Sequence, residues 1–222
     1  MKTITEQKPF EEILECIEKD KNIYIIGCGT CATMCHTGGK AEVLSMKEKL
    51  ESLGKNVVGW IVMPTACDDL TADAMREDSE RIKNADAILV MACAFGTQTV
   101  ASFEDERPVY PALNTLFVGK GGGESGIFAE ICQQCGDCVL AVTGGICPVT
   151  MCAKGLLNGP CGGTNKGKCE EDPERDCAWT LIYKRLEKLG KIDEMRKYRS
   201  PRNYQKVARP GKILIETEGV NK

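Results

Sequence analysis

Hydrophobic and polar positions change period along this chain, and the changes mark its elements. Over 9–20 the apolar residues recur at helical spacing, and 22–27 (Asn-Ile-Tyr-Ile-Ile-Gly) is a short continuous apolar run that reads as a buried strand. Over 41–53, Val43, Leu44, Met46, Leu50 and Leu53 fall near one helical face ahead of Gly54. This βα unit repeats: 57–63 predicts a second strand, 71–83 a second helix and 87–91 a third strand. Strands alternating with helices predict an α/β fold, here an N-terminal Rossmann-like parallel sheet with helices packed on it.

Beyond Glu104 the pattern loosens through Arg107-Pro-Val-Tyr-Pro, a short strand at 116–118 and the run Gly119-Lys-Gly-Gly-Gly-Glu-Ser-Gly. The glycines lack the G-x-x-x-x-G-K-[ST] spacing of a phosphate loop and no long helix clearly follows, so a flexible turn is expected. From Ile127 onward eight cysteines, Cys132 through Cys177, fall within 46 positions among Gly and Pro. A segment of that kind folds around metal. A last helical stretch, 177–190, carries Trp179, Leu181, Ile182, Leu186 and Leu189, and the tail after Ser200 reads as extended. The predicted organisation is an α/β domain over 1–106 with its own iron–sulfur site, a connector over 107–126, and a cysteine-rich metal-bound domain over 127–222 ending in a helix.

Composition sharpens this picture. The chain has 222 residues, and its 14 cysteines, roughly 6%, far exceed ordinary usage. Its opening Met-Lys-Thr-Ile-Thr-Glu-Gln carries no apolar signal segment, so a reducing, cytoplasmic compartment is expected, where thiols bind metal rather than form disulfides. The longest apolar run, 85–95, is interrupted by Asp86 and is too short to span a membrane. A formal charge of −3 and 5% aromatic residues argue against nucleic acid, which needs clustered cations or stacking rings. The basic stretch Arg196, Lys197, Arg199, Arg202 reads as a solvated face or a partner contact.

The strongest local signal is Cys132-x-x-Cys135-x-x-Cys138, three thiolates that wrap one loop around a cubane face, with a fourth ligand from elsewhere. Zinc sites more often use separated pairs, which favours iron–sulfur at this triplet. Cys147, Cys152, Cys161, Cys169 and Cys177 follow at intervals of five, nine, eight and eight residues. Eight cysteines make two four-thiolate sites, and spacing does not choose between a second cluster and zinc for the other. The N-terminal set, Cys28-x-x-Cys31-x-x-x-Cys35, lies directly after the first strand, while Cys67 and Cys93 follow the second and third. Ligands of open α/β sheets gather at the carboxyl ends of strands, so these five thiols are expected to converge, with Cys93 slightly favoured over Cys67 as the fourth ligand of a [4Fe–4S] site.

Cys16, at helical spacing beside Ile13, Leu14 and Ile17, is expected in the core. The single histidine, His36, is expected to have a surface or packing role, and no Ser-His-Asp, zinc-hydrolase or paired-carboxylate constellation stands out. Gly27, Gly29, Gly136, Gly162 and Gly163 beside the cysteines leave room for main-chain donors near sulfur.

The run Gly144-Gly-Ile-Cys-Pro, Cys152-Ala-Lys, Leu157-Asn-Gly-Pro-Cys-Gly-Gly, Gly167-Lys-Cys-Glu and Cys177-Ala-Trp resembles the C-terminal cysteine-rich domain of methylenetetrahydrofolate reductases. Gly27-Cys-Gly-Thr-Cys and Ala92-Cys-Ala-Phe-Gly-Thr-Gln-Thr extend the resemblance to the small, MetV-type subunits of the reductase of acetogenic bacteria, in the methyl branch of carbon fixation. The resemblance implies a flavin-bearing TIM-barrel partner that reduces 5,10-methylene- to 5-methyltetrahydrofolate, further electron-donor subunits, [4Fe–4S] clusters, two by count, and zinc. It carries over Cys28, Cys31, Cys35, Cys67, Cys93 and the eight later cysteines as ligand candidates, without assigning each to a metal. The chain itself would relay electrons and do no substrate chemistry. The rival readings are a zinc-stabilised interaction scaffold and an electron carrier for a corrinoid methyltransferase.

Overall fold

The computed structural model describes residues 2–121, 126–207 and 209–212; the middle of the glycine-rich turn and the tail from 213 lie outside them. The chain divides into two compact units between Glu130 and Ile131.

In the first unit β2 (Asn22–Cys28), β3 (Asn56–Met63), β4 (Ala87–Met91) and β5 (Val109–Pro111) form a parallel sheet in the order β3-β2-β4-β5. This is the α/β architecture the pattern predicts. β2 is flanked on both sides, with Gly27 opposite Val62 of β3 and opposite Met91 of β4. Its alternate residues therefore enter two cores. Tyr24, Ile26 and Cys28 pack with Met75, Ile82 and Val100 on one face, and Ile23 and Ile25 pack with Ile13, Val43, Met46 and Leu50 on the other. Burial on both faces is why β2 and β4 read as unbroken apolar runs.

Helices α1 (Phe10–Cys16) and α3 (Lys40–Ser52) supply one of those cores, and α4 (Thr71–Glu77), α5 (Ser79–Lys83) and α6 (Ala94–Phe103) the other. The short α2 (Cys31–Met34) follows β2. Because β3 lies on one side of β2 and β4 on the other, the crevice between the carboxyl ends of β2 and β4 is where strand order reverses.

Several expectations are corrected. The helix over 71–83 breaks at Asp78, whose carboxylate accepts the hydroxyl of the buried Tyr24 and pairs with Arg81. Cys16 is exposed: Ile13 and Ile17, four residues apart, take the inward stripe of α1, and Cys16 ends the helix on its flank. The strand expected at 116–118 is present and longer, and a further short strand precedes it. The short one is β5 and the longer one β6 (Leu113–Gly121), which pairs antiparallel with β1 (Lys2–Gln7) and with β7 (Phe128–Glu130) in a second, three-stranded sheet.

The second unit has few regular elements: α7 (Pro148–Met151), α8 (Ala178–Lys188) and 3₁₀ turns at Leu140–Val142, Ile192–Arg196 and Tyr204–Lys206. The last turn interrupts the tail expected to be extended. Trp179, Ile182 and Leu186, spaced three and four residues apart on α8, are its buried cluster among the described residues, and the Trp179 indole N–H donates to the Leu156 carbonyl at 3.0 Å. In the basic stretch, Arg196 pairs with Asp193, while Lys197 and Arg199 pair with Glu194. No helix among the described residues is long and apolar enough to cross a membrane.

Candidate metal-thiolate sites

Cys28 is the last residue of β2, and the loop after it is tied down by its own backbone. The Cys28 N–H donates to the Gly38 carbonyl at 2.9 Å, the Gly29 N–H to Met63 at 2.7 Å, and the Thr33 hydroxyl to the Cys28 carbonyl at 2.8 Å. After α2 the chain turns back at His36, exposed and in the left-handed region at φ 55°. It then passes so close over β4 that a Cβ on Gly38 would lie 1.9 Å from the Met91 carbonyl oxygen. Only glycine permits that approach.

β1 holds the other side of this loop. The Thr3 N–H donates to the Cys31 sulfur at 3.4 Å, and the Cys35 thiol donates to the Thr3 carbonyl at 3.9 Å. Thr5 and Thr37, both buried, join hydroxyls at 2.7 Å, and the Gln7 amide donates to the Thr37 carbonyl at 2.9 Å. Thr3, Thr5 and Gln7 of β1, with Thr37, hold this loop, and the sequence reading missed them. The available signal was the β-branched alternation Thr-Ile-Thr at 3–5.

Electrostatics separates the thiols. Burial pushes the Cys28 thiol up, but the Thr30 hydroxyl and backbone N–H groups of Ala66, Thr30 and Ala32 outweigh it and hold the thiol below its usual range. Cys67 is pushed up, first by burial and then by negative charge on Cys93, Cys28 and Cys31. These four thiols share one neighbourhood at the crevice between strand ends, with Cys28 and Cys93 buried and Cys67 exposed. Cys35 is directed toward Thr3 and is not among the groups that perturb Cys67.

In the second unit Cys152, Cys161, Cys169 and Cys177 line one small cavity, together with Lys154, Glu170 and Trp179. The Gly163 N–H donates to the Cys161 sulfur at 3.4 Å, and the Cys161 thiol donates to Glu170, which pairs with Lys154. Cys177 caps α8. Burial raises its thiol, but the hydroxyls of Thr180 and Thr164 and the N–H groups of Thr180 and Trp179 bring it below the usual range. Cys147 caps α7, its thiol donates to the Thr150 hydroxyl at 3.7 Å, and it does not line the cavity.

The triplet Cys132, Cys135, Cys138 lies on an exposed loop with left-handed residues at Gln134 and Gly136. Arg202 beside Cys135 holds that thiol below its usual range, with help from the Asp137 N–H. Among the described residues no three His, Cys, Asp or Glu side chains are gathered tightly enough to hold a metal ion. The fit to metal rests instead on the donor sets: four thiols at the strand ends and four at one cavity, each set with N–H groups aimed at sulfur. Trp179 is buried, and Tyr183 is half exposed. In the first unit, by contrast, exposed Phe95 lines a shallow depression with Cys67.

No curated protein and no solved structure matches the chain. Residues 110–205 match the family model described as methylene-tetrahydrofolate reductase C terminal, and that segment, which contains all eight later cysteines, is similar to this family.

Proposed function

We propose that this chain is the metal-thiolate, electron-carrying subunit of a methylenetetrahydrofolate reductase of the MetV type, working beside a flavin-bearing catalytic subunit. The observation that carries the reading is the cavity lined by Cys152, Cys161, Cys169 and Cys177 inside the segment similar to that family. Four thiols without histidine suit a single tetrahedral ion, and zinc there would act as the core that the sparse apolar packing around α8 does not supply.

Cys28, Cys31, Cys67 and Cys93 are the residues that would hold a [4Fe–4S] cluster, and Cys132, Cys135 and Cys138 three ligands of a second. Clusters supply one-electron storage, which matches two successive electrons to the two-electron reduction of a methylene to a methyl group. The protein's part is to keep sulfur ionised and to exclude water. At Cys28 it does so with three N–H donors and a hydroxyl in a buried setting. Exposed Phe95 beside Cys67 offers an apolar contact close to that site.

The test is anaerobic purification with iron, sulfide and zinc analysis of the wild type and of Cys28→Ser and Cys161→Ser, followed by a reduced-viologen assay with and without the flavoprotein. Cys28→Ser is expected to lose iron, and Cys161→Ser to lose zinc. The chain alone is expected to be inactive toward methylenetetrahydrofolate. An iron-free wild type, or full activity from the isolated flavin-free chain, overturns the reading.

A further inference from the structure

The basic residues that follow the 3₁₀ turn at Ile192–Arg196 do not all form surface pairs. Arg202 turns inward: its Nη2 donates to the Cys135 carbonyl at 2.6 Å and lies 3.4 Å from that of Asp137, while its guanidinium stands 5.6 Å from the Tyr204 ring centre. Lys206 Nζ reaches Asp137 Oδ1 at 3.2 Å, and Arg209 Nη2 reaches the Gln133 carbonyl at 3.4 Å. Val207 closes the gap, since a Cβ on Gly136 would lie 2.2 Å from its Cγ2. Three cations from one short segment thus engage Gln133, Cys135 and Asp137, alternate residues of the tri-cysteine loop.

The same loop also turns N–H groups toward sulfur, and Arg202 reaches the Cys135 sulfur as well as its carbonyl. The Gln134 N–H donates to the Cys132 sulfur at 3.4 Å, and the Asp137 N–H points at the Cys135 sulfur. Left-handed Gln134 (φ 48°) and Gly136 (φ 70°) shape the turn in which these N–H groups and carbonyls sit. The carbonyls of Gln133, Cys135 and Asp137 meet cations while N–H groups meet thiols.

We propose that Arg202, Lys206 and Arg209 form a cationic strap that fixes the peptide dipoles of the tri-cysteine loop with their positive ends on sulfur and offsets the negative charge gathered there. Arg202 is the positioning residue, because it alone bridges two of the carbonyls. The charge-offset part rests on the reading of Cys132, Cys135 and Cys138 as cluster ligands; the clamping part does not. A cation next to an anionic centre stabilises its reduced, more negative state, so the strap raises the reduction potential of a cluster bound at this loop.

The experiment compares full-length wild type, Arg202→Gln and Arg202→Lys by amide hydrogen exchange over 132–138 and by potentiometric EPR of anaerobically loaded protein. Arg202→Gln is expected to raise exchange in the loop at least tenfold and to lower one midpoint by a tenfold change in the one-electron equilibrium, about 59 mV. Arg202→Lys keeps the charge without the fork, so its exchange rises while its midpoint stays near wild type. Wild-type exchange in Arg202→Gln overturns the strap whatever the metal content. Faster exchange with an unmoved midpoint overturns the charge offset. A wild type that takes up no iron defeats the electron-transfer reading of the preceding subsection, while the exchange comparison still decides whether the strap exists.

Discussion

The buried pair of hydroxyls between β1 and the N-terminal cysteine loop provides a quantitative check on how that loop is held. Thr37 Oγ1 lies 3.2 Å from the Ala32 carbonyl and 2.7 Å from Thr5 Oγ1. A hydroxyl has one proton, so if Thr37 donates to Ala32, Thr5 must donate to Thr37. Thr37→Val then strands the Thr5 proton in a buried site, whereas Ala32 keeps the Thr37 and Gly38 N–H groups at 2.9 and 3.3 Å. An unsatisfied buried donor costs about 1–3 kcal/mol, so Thr37→Val should destabilise the first unit by about that much. Thr5→Val leaves only an unused lone pair and should cost less, about 1 kcal/mol. The double variant removes both hydroxyls and should cost less than the sum of the singles, with a coupling of about 1 kcal/mol. The assay is urea unfolding under reducing conditions, followed by Trp60 fluorescence in a Trp179→Phe background, together with the alkylation rate of Cys31 in metal-free protein. Alkylation should accelerate with loss of the clamp. Additive stabilities, or a Thr5→Val cost exceeding that of Thr37→Val, would refute this donor chain.

Metal removal should affect the two units unequally. Chelation is expected to expose Trp179 and make 131–207 protease-sensitive, while the first unit, with two large buried clusters, persists; equal resistance with and without chelator would contradict this. Asp86, whose carboxylate accepts the backbone N–H groups of Asn22 and Lys21 at 2.7 and 2.9 Å, is held below the usual carboxylate range by those bonds. A depressed acid stabilises the fold above its unfolded pKa and ceases to do so as pH falls through the folded one. Asp86→Asn should therefore cost roughly 0.5 kcal/mol at pH 7, a screened surface contribution, with the deficit closing below about pH 4 in parallel denaturation curves. A deficit that persists at low pH would assign the effect to packing.

What the sequence disclosed follows from how each element is buried. β2, β3 and β4 were legible because the sheet is parallel and largely covered on both faces, which demands apolar runs, and the placement of Cys28 and Cys93 at strand ends was legible because they end or follow such strands. β1 was not, since it is the edge of a three-stranded antiparallel sheet with polar Lys2, Glu6 and Gln7. The break at Asp78 depends on a hydroxyl contributed from Tyr24, which no local window contains. In the second unit the intervals between cysteines gave no grouping. The gathering of Cys152, Cys161, Cys169 and Cys177 around one cavity is set by loops that carry no period, and the role of Arg202 depends on a contact 67 positions away.

The pairing of β1 with β6 has a consequence for the order of events during synthesis. Gln7 finds its partner only at Leu113, and among the described residues β1 has no other strand neighbour. The parallel sheet can form as soon as Pro111 has emerged from the ribosome, bringing Cys28 and Cys93 to adjacent strand ends, whereas until β6 follows β1 is held to the cysteine loop by its bonds to Cys31, Cys35 and Thr37, without a paired strand. During that interval the amide that donates to Cys31 sits on a strand whose own pairing is still missing. Among the described residues the strand made first thus completes its own pairing only after the parallel sheet is whole.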